Sequence, residues 1–257
     1  MVPCIHGCAV TVCKPNESAC AGDRPFLVAA HPGHELRLFH WMETQHPVVF
    51  LLTDGSGGAS QSRTAFSVAC CRAAGAEPGS VFGTLPDRTW YAAILAADPR
   101  PFLAAASEMI DAGARRRPGI VVSDAVEGYN PMHDLCAALG ARVATALGVP
   151  HLTQAVTGGA LGAVRACLAL DAAAQARKRD AALAYAPLTE EVGALLAADP
   201  AAWASETLLT QGIAWPDDCD AAYERIGRER VAAGRYATPI TYRHHVLAIA
   251  RRLLRPD

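Results

Sequence analysis

Short apolar runs that end abruptly in polar residues alternate along this chain with longer stretches of helical spacing. The runs over residues 24–31 (RPFLVAAH) and 47–54 (PVVFLLTD) have strand length and are apolar almost throughout. That is the pattern of strands buried on both faces of a parallel sheet. Between them, residues 34–45 present Leu36, Phe39, Trp41 and Met42 at helical spacing. The alternation continues with a helix over 62–76, a strand over 79–85, a helix over 100–115, a β-branched strand over 119–125 and a helix over 132–147. One or two further strands fall within 151–171 around a Gly-Gly pair. Residues 172–198 read as helical with a break at Pro187, and 199–219 read as a loop. Helices close the chain over 219–233 and from Thr238 onward.

This order predicts an α/β fold: a Rossmann-like, mostly parallel sheet with helices on both faces, spanning 24–257 as a single domain. In open sheets of this kind ligands bind beyond the carboxyl ends of the strands. His31, Asp54 and Glu127 stand at or just past predicted strand ends.

Composition narrows the class. The 257 residues are 51% hydrophobic and 19% charged with a net charge of −2, and no Lys/Arg-rich run occurs. No electrostatic footprint for nucleic acid or an anionic membrane surface follows from that balance. No apolar stretch reaches the roughly 18–20 residues of a membrane span. The first residues lack the basic start and continuous apolar segment of a signal peptide, so a cytoplasmic location is expected. Cys4, Cys8, Cys13 and Cys20 crowd the first twenty residues at spacings that do not match paired C-x2-C zinc knuckles. Residues 1–23 are therefore expected to be a flexible, Cys-containing extension. The oligomeric state, a homo-oligomer included, is left open.

The chemistry concentrates where the first strand meets its helix. His31 and His34 flank a Pro-Gly turn, and His133 opens a later helix in the same way. Three histidines with an open fourth position form the donor set of catalytic zinc sites, where the metal polarises carbonyls and acidifies water. The Gly-rich segment 53–63 can cradle a phosphate through backbone N–H groups and Arg63, or be a plain connection; it lacks the Lys-Ser/Thr ending of a P-loop. The segment around Gly158 is weak support for a dinucleotide cofactor.

The segment VAAHPGHE resembles the AHPDDE motif of the PIG-L/LmbE family, zinc-dependent deacetylases of N-acetylglucosaminyl compounds. VVFLLTDGSGG is similar to that family's second strand and Gly-rich loop, and DAVEGYNPMHDLCAAL to the segment containing its HPDH motif. RKRDAALAYAPL and WASETL are similar to its later Lys…Tyr stretch and downstream glutamate, so the resemblance spans residues 25–206. It implies Zn2+ (or another divalent metal) bound by His31, His34 and His133, and Glu35 in a structural role. The expected substrate is a small polar amide, an N-acyl sugar or glycoside.

The sequence also departs from that pattern. His34 replaces a ligand aspartate, which removes a negative charge from around the metal and leaves it more electropositive. Gly33 occupies the position of the general base, and Asn130 and Met132 replace the histidine and aspartate of HPDH. Asn130 retains the capacity to donate a hydrogen bond to a developing oxyanion. Replacement bases come from Asp54, Glu127, Asp134 or the His244–His245 pair, with His245 the member assigned to catalysis. Arg63, Glu127 and Tyr129 are candidate substrate contacts. The departures equally suit a family relative that binds a glycoside, or assists a biosynthetic pathway, without hydrolysing it.

Overall fold

The computed structural model describes residues 24–57, 61–157, 162–198, 203–210 and 215–255. The expected extension over 1–23 lies outside the described residues. Seven strands, β1 (Phe26–Ala29), β2 (Val48–Thr53), β3 (Glu77–Leu85), β4 (Val121–Asp124), β5 (His151–Gln154), β6 (Ala163–Ala169) and β7 (Ser205–Thr210), form one sheet in the order β3-β2-β1-β4-β5-β7-β6. The pairings among β1 to β5 are parallel, whereas β7 runs antiparallel to both β5 and β6. The mostly parallel α/β sheet predicted from the pattern is thus the observed one.

The all-apolar strands feed two cores because successive side chains point to opposite faces. Phe26, Val28, Val48 and Phe50 enter one core with Trp90 from α3 (Asp87–Leu95), Phe102 and Met109 from α4 (Arg100–Arg116), Leu135 from α5 (Pro131–Leu147) and Ile249 from α9 (Leu247–Leu253). Their neighbours Leu27, Ala29, Val49 and Leu51 enter the other. There they meet Trp41 and Met42 of α1 (Phe39–Gln45), Cys71 of α2 (Thr64–Ala73), Ala182 of α6 (Ala172–Leu183) and Val192 of α7 (Thr189–Ala198). Each fully buried Phe or Leu in these strands contributes about 1.5–3 kcal/mol.

This layering creates the crevice that holds the site. The chain leaves β1 toward the α1 face and leaves β4 toward the α5 face, so adjacent strands diverge at their carboxyl ends. A 3₁₀ turn over His34–Leu38 carries the chain from β1 into α1. At the other lip, Asn130 caps α5 by accepting a hydrogen bond from the Met132 N–H at 2.8 Å, and Pro131 follows at the first helical position.

Two expectations need correction. The stretch 199–219, read as a loop, contains β7. Its signal was weak because it is short, half-exposed and paired mainly with β6, itself an exposed edge strand. The C-terminal helix is shorter than expected, opening with a π-helical turn over Tyr242–Val246 before α9. The break at Pro187 is present, as a short turn (Ala186–Leu188) between α6 and α7. The remaining helix, α8, spans Ala222–Ala232.

β7 is secured by a buried ion pair. Glu206 Oε1 accepts hydrogen bonds from Lys178 Nζ of α6 at 2.7 Å and from the His40 N–H at 2.8 Å, while Oε2 accepts from the Trp41 N–H at 2.7 Å. Lys178 Nζ also donates to the Arg37 carbonyl at 2.7 Å. One carboxylate therefore joins β7, α6 and the start of α1. Glu206→Ala is expected to lower the unfolding free energy by about 3–5 kcal/mol, because Lys178 is left buried and unpaired. Urea denaturation of the two proteins checks this; equal midpoints and slopes would show the pair to be dispensable.

Candidate metal centre

His31, His34 and His133 meet at the divergence of β1 and β4. Their ring centroids are 5.3 Å (His31–His34), 5.5 Å (His31–His133) and 4.6 Å (His34–His133) apart, at interplanar angles of 77°, 64° and 88°. Tetrahedral zinc with Zn–N bonds of about 2.0–2.1 Å sets imidazole centroids about 5 Å apart, so the spacing suits such an ion.

Each ring is backed by a carboxylate. His31 Nδ1 lies 3.2 Å from Asp87 Oδ1 and 2.9 Å from Thr53 Oγ1. His34 Nδ1 donates to Asp124 Oδ2 at 2.7 Å, and His133 Nδ1 donates to Glu127 Oε2 at 3.2 Å. Burial opposes ionisation of Asp124, but His34, His133 and the Ala30 N–H outweigh it and bring its pKa to about 2. Burial is likewise overcome at Asp87, held at about 2 by His31 and the Gly57 N–H. At Glu127 it is overcome by His133 and the Val156 and Thr157 N–H groups, which keep the carboxyl below its ordinary value. Ionised carboxylates only accept, so each neutral ring carries its proton on Nδ1 and presents Nε2 as a lone pair. This is the outer support found behind metal-binding imidazoles.

One atom points directly to a missing partner: His31 Nε2 is buried and has no hydrogen-bond partner. Spacing, tautomers and this orphaned nitrogen all fit a metal. Among the described residues, however, no group of three or more His, Cys, Asp or Glu side chains is placed to hold an ion as it stands.

The cluster opens onto a cavity of about 740 Å³, lined also by Arg63, Tyr129, Asn130 and Gln154. Asn130 Oδ1 accepts from the Met132 N–H and from Tyr91 Oη at 3.1 Å, which leaves the Nδ2 end of the amide for the cavity. Gln154 Nε2 donates to Asp124 Oδ1 at 3.1 Å, whereas its buried Oε1 has no partner. Tyr129 is 53% exposed, its ring 6.5 Å from that of His133.

The proposed replacement bases are placed differently from expectation. Asp54 and His245 do not line the cavity. Asp54 Oδ1 accepts from the Ser56 N–H and Oγ and from the Asp87 N–H, so it ties the loop after β2 to the start of α3 and positions Asp87. His245 Nδ1 accepts from the N–H and Oγ1 of Thr241 within its own turn. Asp134 accepts from the Glu127 and Gly128 N–H groups, and burial raises its pKa to about 6. Glu127 stands behind His133, with Oε1 accepting from the Val156 and Thr157 N–H groups. Strand-end position had singled out Asp54. That signal does not reveal that Asp54 Oδ1 is engaged by Ser56 and by the Asp87 N–H.

Gly33 is enclosed. Its φ is +106°, and a Cβ there would lie 2.4 Å from Leu188 Cδ1 of the turn between α6 and α7. Glu35, fully buried, accepts from the Gly33 N–H at 2.8 Å and fixes the turn, in keeping with its expected structural role.

No protein-family model and no curated protein matches the chain. Solved structures do share its fold. A deacetylase from the biosynthesis pathway of teicoplanin has a TM-score of 0.55 and 11% sequence identity, covering 72% of this chain and 96% of that one. The deacetylase of the A40926 pseudoaglycone gives 0.53 and 16%, covering 73% and 96%. The chain thus has the fold of these deacetylases, and the expected Rossmann-like, mostly parallel architecture stands.

Gly33→Asp, the change that reinstates an acidic side chain, is expected to cost about 1–3 kcal/mol through the positive φ and the clash with Leu188. Adding Leu188→Ala should relieve the clash but not the backbone strain. Thermal denaturation checks both variants; an unchanged midpoint for the single variant would show that the position has room.

Proposed function

We propose that this protein is a metal-dependent amidohydrolase that removes the acyl group from an N-acyl amino sugar or a related small polar amide. The observation that carries the reading is the convergence of three carboxylate-backed imidazoles on one cavity, with His31 Nε2 buried and unpartnered. His31, His34 and His133 would hold Zn2+ or another divalent ion. The bound ion supplies Lewis acidity toward the acyl carbonyl and toward water.

The chain's own groups perform the rest. Asp87, Asp124 and Glu127 keep the three rings oriented and, in the neutral ring, draw the proton to Nδ1 so that Nε2 is the donor atom left for the ion. Asn130 offers Nδ2 to the carbonyl oxygen as it gains negative charge; its oxygen end is already committed, so the amide cannot profitably flip. Gln154 lines the cavity and its buried Oε1 has no partner, so it would offer an acceptor to the amide N–H or a sugar hydroxyl. Arg63 and Tyr129 contact the polar remainder. The missing carboxylate at Gly33 should slow turnover on the order of 10²- to 10⁴-fold relative to a site with a positioned base.

That same vacancy supports a second reading, a glycoside-binding relative without turnover. Purified protein should carry about one zinc per chain, and His31→Ala or His133→Ala should lose it. Elemental analysis decides, and full occupancy in either variant rejects the assignment. Acetate release from N-acetyl amino sugars should be abolished by chelator; a ligand-induced thermal shift with no release would favour the binder. Asn130→Ala should lower kcat on the order of 10²- to 10³-fold with KM little changed. Equal losses of binding and turnover would instead indicate a ground-state contact.

A further inference from the structure

Arg37 stands three residues after His34, on the 3₁₀ turn leading into α1, and its half-buried side chain lines the same cavity. Among the described residues it makes no side-chain hydrogen bond and no ion pair. Lys178, the neighbouring cation, is spent on Glu206 and on the Arg37 carbonyl, which also pins the Arg37 backbone. Glu191 of α7 lines the cavity as well, and attracts Arg37 without pairing to it. Partial burial pulls the guanidinium below its ordinary pKa, against the opposing pull of Glu191 and Glu127.

A half-buried guanidinium with no protein partner has its donors free, and their planar fork matches the oxygens of a carboxylate or a phosphate. A neutral sugar would not compensate that charge. Arg63, at the start of α2, adds a second cationic side chain to the cavity lining.

We infer that the ligand of this cavity carries an oxyanion, a carboxylate or a phosphate, which Arg37 receives in the same cavity as the three imidazoles. The identification of that ligand as an N-acyl sugar rests on the amidohydrolase reading; the anion site itself does not. Glu191 then acts as a competitor that the incoming anion displaces from the field of Arg37.

Calorimetry on the full chain, with N-acetylglucosamine, its 6-phosphate and N-acetylmuramic acid at constant ionic strength, tests this. One or both charged sugars should bind about ten- to a hundredfold more tightly than the neutral one, and the preferred one names the oxyanion. Arg37→Gln should erase the preference. Arg37→Lys should retain part of it, more for phosphate than for the planar carboxylate. Glu191→Gln should strengthen binding of the charged sugars. Equal affinities for all three sugars, failure of both charged sugars to bind, or a preference that survives in Arg37→Gln overturns the inference. Acetate release is measured separately, so an anion preference without hydrolysis would discard the catalytic reading and leave the anion site standing.

Discussion

The buried carboxylate of Asp124 joins the sheet to the site. Its Oδ2 accepts from the Ala30 N–H at 2.8 Å and from His34 Nδ1 at 2.7 Å, and its Oδ1 accepts from Gln154 Nε2 at 3.1 Å. These contacts link the ends of three adjacent parallel strands, β1, β4 and β5. A fully buried charge survives only when it is paired and hydrogen-bonded, so the same requirement that keeps Asp124 ionised also fixes the His34 ring. The remaining imidazoles are held on the same plan, by Asp87 from α3 and Glu127 from the loop before α5.

The parts of this arrangement that are local in sequence could be read there. Strands of four to eight apolar residues announced the central sheet because burial on both faces removes any need for polar positions. His31, His34 and His133 were visible because each sits where a strand or loop gives way to a helix. Of their supporting carboxylates, Glu127 stood out only as a candidate base or substrate contact, and Asp87 and Asp124 did not stand out. Asp87 lies 56 residues from His31 and reaches it only through the packing of α3, which sequence periodicity does not encode. Asp54, conversely, looked available because its position is conspicuous, whereas its bonds to Ser56 and Asp87 are matters of loop conformation. β7 escaped for a related reason: an antiparallel strand with one covered face offers only a brief alternation.

Each position at which the sequence departs from the motif it resembles has a structural counterpart. At Gly33, Leu188 fills the space into which a side chain would grow. Met132, where the family has an aspartate, is fully buried in the core with Leu135 and Val28. Asn130 supplies the cap of α5, a task that an amide oxygen performs and that also dictates which end of the side chain remains. These positions are integrated into packing and helix termination.

The nitrogen character of the cluster bears on which ion the proposed centre would take. Hard cations such as magnesium and calcium seek oxygen donors, whereas imidazole suits zinc, nickel and copper, with copper(II) ranking above zinc in intrinsic affinity. By placing its three carboxylates one hydrogen bond behind the rings, the protein retains their negative field while offering no oxygen from them at the centre. Discrimination against the abundant alkaline-earth ions would then be built into the donor atoms. Exclusion of copper would fall to its supply in the cell.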